Sequence, residues 1–78
     1  MNITVERIDD TRYKYYSTGD TYPGVLKIIN PKEIEIEEIS SMDKEFPKSM
    51  YFAKQAKYII YKMLSDGNLE DKVMKAWG

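Results

Sequence analysis

Tyr51-Phe-Ala-Lys-Gln-Ala-Lys-Tyr-Ile-Ile-Tyr-Lys-Met-Leu64 decides the fold class, because the hydrophobic period of the chain changes there. At 100° per residue, Phe52, Ala53, Ala56, Ile59, Ile60, Met63 and Leu64 fall on one continuous arc of about 140°, the width of a helix laid against a sheet. Upstream, Pro47 suits the first turn of a helix, where its missing amide donor costs nothing. Asp43 and Glu45 favour the positive helix end. Downstream, Gly67 accepts the left-handed conformation that stops a helix. The spacing therefore predicts a long helix over Pro47–Ser65.

Everything before that stretch has period two. Ile3 and Val5 alternate with polar residues, Asp9-Asp10 reads as a turn, and Tyr13 and Tyr15 share one face while Arg12, Lys14 and Tyr16 share the other. A Gly- and Pro-bearing loop over residues 17–24 leads into Val25-Leu-Lys-Ile-Ile29, and Asn30-Pro31-Lys32 is a tight connection into Glu33-Ile-Glu-Ile-Glu37. Glu38 breaks that alternation, so a bulge or strand end is expected there. After Gly67, Asn68-Leu-Glu-Asp71 has the pattern of a capping box, and Leu69, Val73 and Trp77 recur at intervals of four. These predict a short C-terminal helix. The expected fold is α+β: a small antiparallel sheet of three to four strands packed on the long helix, followed by the short one, in a single domain over residues 1–78.

Composition removes whole classes of chemistry. The 78 residues include no Cys and no His, so disulfides, thiolate or imidazole metal sites and imidazole-based catalysis are excluded. No Gly-rich phosphate loop is present. Asp66-Gly-Asn-Leu-Glu-Asp71 has its Gly at the second position, not the sixth that a calcium loop requires, so neither metal nor cofactor is expected. No apolar run approaches the roughly 18 residues of a membrane span, and the first residues lack the features of a signal peptide, which makes the cytoplasm of a bacterial cell the expected location.

Net charge is −1, yet the charges are segregated. Glu33, Glu35, Glu37, Glu38, Asp43 and Glu45 form an acidic row, and the following stretch from Phe46 to Ser65 carries Lys but no acid. On the helix, Tyr51, Lys54, Tyr58 and Lys62 project away from the apolar arc. Tyr gives a large contact area at low entropic cost, so this stripe and the acidic row are the two candidate partner-binding surfaces. Arg12, Lys14 and Tyr16 form an alternative nucleic-acid face. A helix-turn-helix use of the C-terminal segment is disfavoured, because Glu70 and Asp71 would meet phosphates first.

Tyr61-Lys-Met-Leu-Ser-Asp-Gly-Asn-Leu69, within Lys48–Lys72, resembles the Leu-Tyr-x-x-Leu-Leu-x-Ser-Gly-x-Leu stretch of TnpV-like small proteins of conjugative transposons. That resemblance implies a mobile-element or phage setting. The short, Tyr-rich, Cys-free and His-free profile with its acidic strip is also similar in type to phage anti-CRISPR inhibitors. Together they imply a non-enzymatic inhibitor that binds a host protein, such as a CRISPR effector or another nucleic-acid enzyme, and blocks its functional surface. The competing expectation is a small nucleic-acid-binding accessory protein of a mobile element. A homodimer through the open sheet face or Trp77 is a third.

Overall fold

The computed structural model describes residues 1–77. Its elements are β1 (Asn2–Arg7), β2 (Arg12–Tyr16), β3 (Gly24–Asn30), β4 (Glu33–Glu38), α1 (Ser41–Glu45), α2 (Tyr51–Asp66) and β5 (Lys72–Ala76). The α+β class and the antiparallel sheet under a long helix are as expected. The sheet has five strands in the order β4-β3-β2-β1-β5, every neighbouring pair antiparallel.

The fifth strand corrects the expectation of a short C-terminal helix. A spacing of four is 40° from in phase on a helix and fully in phase on a strand, so Leu69, Val73 and Trp77 satisfy both periods. What decides between them is β1, whose outer edge needs a partner. Val73 pairs with Val5 and Lys75 with Ile3, burying β1 in the sheet interior.

Alternation then sorts the side chains. Ile3, Val5, Tyr13, Tyr15, Leu26 and Ile34 point to one face and are buried with Phe52, Ala53, Ala56, Ile59, Ile60 and Met63 of α2. Gly24 lies opposite Tyr15 and leaves space for its ring, since a Cβ there would stand 2.1 Å from a ring carbon. The β3–β4 register shifts between Val25 and Leu26, where Val25 opposes Glu38 and Leu26 opposes Ile36, so the phase break read at Glu38 is an irregularity of the ladder.

The helix begins four residues later than the sequence indicates. Pro47 lies in the loop between α1 and α2, and Met50 at the N-cap takes φ 47° with no side-chain cap of its own. That left-handed conformation costs a non-glycine residue about 1–2 kcal/mol. Asp43 compensates from α1. Its carboxylate accepts from the Phe52 N–H at 3.1 Å and the Ala53 N–H at 2.8 Å, satisfying donors that every helix start leaves open. At the other end Gly67, φ 71°, closes α2 with bonds from its own N–H to the Leu64 carbonyl and from the Asn68 N–H to the Met63 carbonyl.

Candidate functional site

The acidic row is divided by the fold. Glu33, Glu35, Glu37 and Glu38 lie on β4, exposed, with Glu37 the extra residue between the Leu26–Ile36 and Val25–Glu38 pairs, and Glu45 ends α1. Asp43 is removed from the row: it is 2% exposed and holds the start of α2 together with the Tyr15 hydroxyl, so it offers nothing to a partner. Glu35 stands opposite Lys27, and Glu37 is 3.8 Å from the Arg12 guanidinium. Half the β4 strip is thus faced by cations of its own sheet.

The same pairing consumes the alternative nucleic-acid face. Arg12, Lys14 and Tyr16 share the open side of β2, as their alternation requires. Arg12 is held by Asp9 at 2.7 Å, which also accepts from the Thr11 and Arg12 N–H groups. Those backbone and guanidinium bonds lower the Asp9 pKa to about 2 and raise that of Arg12. Lys14 is 3.7 Å from Glu6, and the Tyr16 hydroxyl donates to the same carboxylate at 3.4 Å. Each exposed pair contributes little to stability on its own, but together they cancel the positive potential a phosphate backbone would need. A shallow groove of about 520 Å³ beside them runs past Asn2, Thr4 and Met74. Its polar walls are committed internally, Asn2 to Thr18 in both directions and Ser17 to Asp20.

The helix stripe fares differently. Tyr51 remains exposed but is engaged by Trp77: its hydroxyl accepts from the Trp77 indole N–H at 3.1 Å, with ring centroids 6.1 Å apart. Lys54 is exposed. Tyr58 and Lys62 line a groove of about 370 Å³ between α2 and β5, with Ile59 and Met63 along its floor and Val73 and Lys75 on its far wall. Tyr58 is 58% exposed, and the Lys75 ammonium sits 5.5 Å from its ring centroid. Among the described residues no ion pair includes Lys62 or Lys75. Asp66 and Glu70 close the loop end of the groove, so it is basic and aromatic at the Tyr58 end and acidic at the other.

Lys75, Met74 and Val73 were not legible as site residues, because only a strand paired to β1 brings them beside Tyr58 and Lys62. Tyr13 and Tyr61 act as internal struts. Tyr13 donates to the Glu70 carbonyl at 3.0 Å, anchoring the loop into β5, and Tyr61 accepts from the Ile34 N–H at 3.1 Å. No family model, curated protein or solved structure matches this chain. No helix among the described residues is long and apolar enough to cross a membrane.

Proposed function

We propose that this chain is a non-enzymatic interaction protein, an inhibitor of the kind carried by phages and mobile elements, that covers a functional surface of a host nucleic-acid-processing or defence protein such as a CRISPR effector. Its contact surface is the α2–β5 groove. The observation that carries this reading is the contrast in charge state between surfaces: Arg12 and Lys14 are paired to carboxylates of their own sheet, whereas Lys62 and Lys75 flank an exposed Tyr58 with no such pairing among the described residues. An exposed Tyr at the rim of an apolar floor is the residue type that anchors interfaces, and the unpaired lysines beside it add a preference for an acidic partner.

The test is capture from a bacterial lysate with three forms of the tagged protein. The wild type retains a discrete partner, Tyr58→Ala combined with Lys62→Glu loses it, and the triple change of Glu33, Glu35 and Glu37 to Lys keeps it. The reverse pattern moves the contact to the acidic strand. A mobility shift of DNA or RNA at low salt, falling log-linearly as salt rises, would instead support the nucleic-acid accessory role.

A further inference from the structure

A sheet of this order has two edges, and they are finished differently. On β4 the outward N–H of Ile34 is occupied by the Tyr61 hydroxyl, which also donates to the Lys32 carbonyl at 3.4 Å, so a side chain of α2 blocks the edge ladder near its start. Native sheets commonly close edges in this way against unwanted pairing. On β5 the pattern is the opposite. Met1 and Trp77 exchange both backbone bonds, and the Arg7 N–H donates to the Asp71 carbonyl at 2.7 Å. Antiparallel alternation then turns residues 71, 73, 75 and 77 toward β1, and sends the N–H and C=O groups of Lys72, Met74 and Ala76 outward. Among the described residues no backbone or side-chain group bonds to those outward N–H groups. The edge runs beside the α2–β5 groove, and Met74, 73% exposed, lies between its two lysines.

We propose that β5 accepts a strand: an extended acidic segment of a partner protein adds to the sheet as a sixth strand, bonding to the backbone of Lys72, Met74 and Ala76. Its alternate side chains enter the groove, with carboxylates over the Tyr58–Lys62–Lys75 end and aliphatic groups on Ile59, Met63 and Val73. Backbone pairing supplies affinity and the groove supplies selection, the division of labour in strand addition generally. Charge selects against a second copy of this chain. Two β5 strands pairing antiparallel about Met74 set Lys72 against Ala76 and Lys75 against Val73, so their four lysines gather with no carboxylate opposite any of them, and the acidic β4 edge is obstructed by Tyr61. This proposal rests on the α2–β5 groove being the contact surface.

The experiment adds blocked peptides of about eight residues, alternating Glu and Val, to isotope-labelled protein and reads amide hydrogen exchange and chemical shifts. Exchange at Lys72, Met74 and Ala76 slows, β4 amides are unchanged, and resonances of Tyr58 and Lys75 move. A Lys/Val peptide does not bind, and N-methylating alternate residues of the Glu/Val peptide abolishes protection. Met74→Pro, tolerated on an edge because its N–H faces outward, weakens binding about tenfold. Equal binding of the N-methylated or the Lys/Val peptide overturns strand addition, as does absence of protection at saturating peptide, or a dimer that shields β5 without peptide. The N-methylated probe leaves the protein unchanged, so the result stands even if Met74→Pro fails to fold. If Tyr58→Ala with Lys62→Glu abolishes partner capture while Met74→Pro does not, the groove remains the contact surface and the strand mode is lost.

Discussion

The Tyr15 hydroxyl, at the centre of the sheet, donates a 3.0 Å hydrogen bond to Oδ2 of Asp43 and accepts from the Ser40 N–H at 3.1 Å. Because Asp43 also receives the first donors of α2, this one carboxylate joins β2, α1 and α2 in the buried interior. The helix is thereby positioned along its axis, and with it the wall of the groove that carries Tyr58 and Lys62.

Asp43→Ala leaves two helix N–H donors and the buried Tyr15 O–H donor without acceptors, while the Tyr15 oxygen keeps its bond from the Ser40 N–H. Each stranded buried group costs about 1–3 kcal/mol, partly relieved by local adjustment, so a total loss of about 3 kcal/mol is expected in denaturant unfolding. Asp43→Asn, which keeps one acceptor oxygen, loses less. A loss within 0.5 kcal/mol of zero for the Ala variant would remove Asp43 from this structural role.

Burial, with the Asp43 carboxylate nearby, pushes the Tyr15 phenol from its ordinary value of 10.0 up to about 12, although the Ser40 N–H works against that rise. The unfolded chain releases this proton at the lower pH and the folded chain holds it, so stability from this group is full below pH 10 and declines as pH rises toward 12. The decline amounts to roughly 2–3 kcal/mol at its end. Comparing unfolding of the wild type with Tyr15→Phe across that window isolates it, because only the wild type carries this contribution.

Asp20 titrates at the other extreme. Burial opposes its ionisation, but the N–H groups of Met42 and Ser17 and the hydroxyls of Ser41 and Ser40 outweigh it and hold the pKa below 3.8. Its stabilisation is therefore complete above the unfolded value and is lost as pH falls through the lower folded value. Asp20→Asn shows a shallower acid-side loss of stability than the wild type between pH 4 and acid unfolding, and an identical slope would contradict the assignment.

Gly24→Ala forces a methyl group into the Tyr15 ring and destabilises by about 2 kcal/mol or more. The contact is with a ring carbon at 2.1 Å, with the hydroxyl at 2.6 Å. Adding Tyr15→Phe therefore does not rescue the variant, whereas Tyr15→Leu, which has no ring, relieves part of the clash. Thermal unfolding of the three combinations checks this order.

Tyr61→Phe exposes the Ile34 N–H on the β4 edge. The lost bond costs about 1 kcal/mol, and the uncapped edge increases self-association at high protein concentration, visible by light scattering. Unaltered scattering across the concentration range would show that the charged side chains of β4 protect the edge alone.

The amphipathic arc of α2, the four N-terminal strands and the phase break at Glu38 were readable because each rests on a local period that one segment carries by itself. The charge segregation was readable too. Whether those charges were available was not, since the partners of Arg12, Lys14 and Glu37 come from other strands or turns and depend on register. Asp43 read both as a charge favouring the helix start and as a member of the acidic row; its burial was not legible, because it depends on α1 packing under a helix that begins eight residues later.

The C-terminal segment shows the same boundary most clearly. The sequence by itself determined that Leu69, Val73 and Trp77 lie on one side, a spacing that helix and strand both satisfy. Only the tertiary structure decided that Lys72–Ala76 is a strand, because β1 presents an unpaired edge whose backbone groups must bond once they leave water. That non-local demand created the fifth strand, the groove beside α2 and the open edge, none of which any stretch of the chain encodes alone.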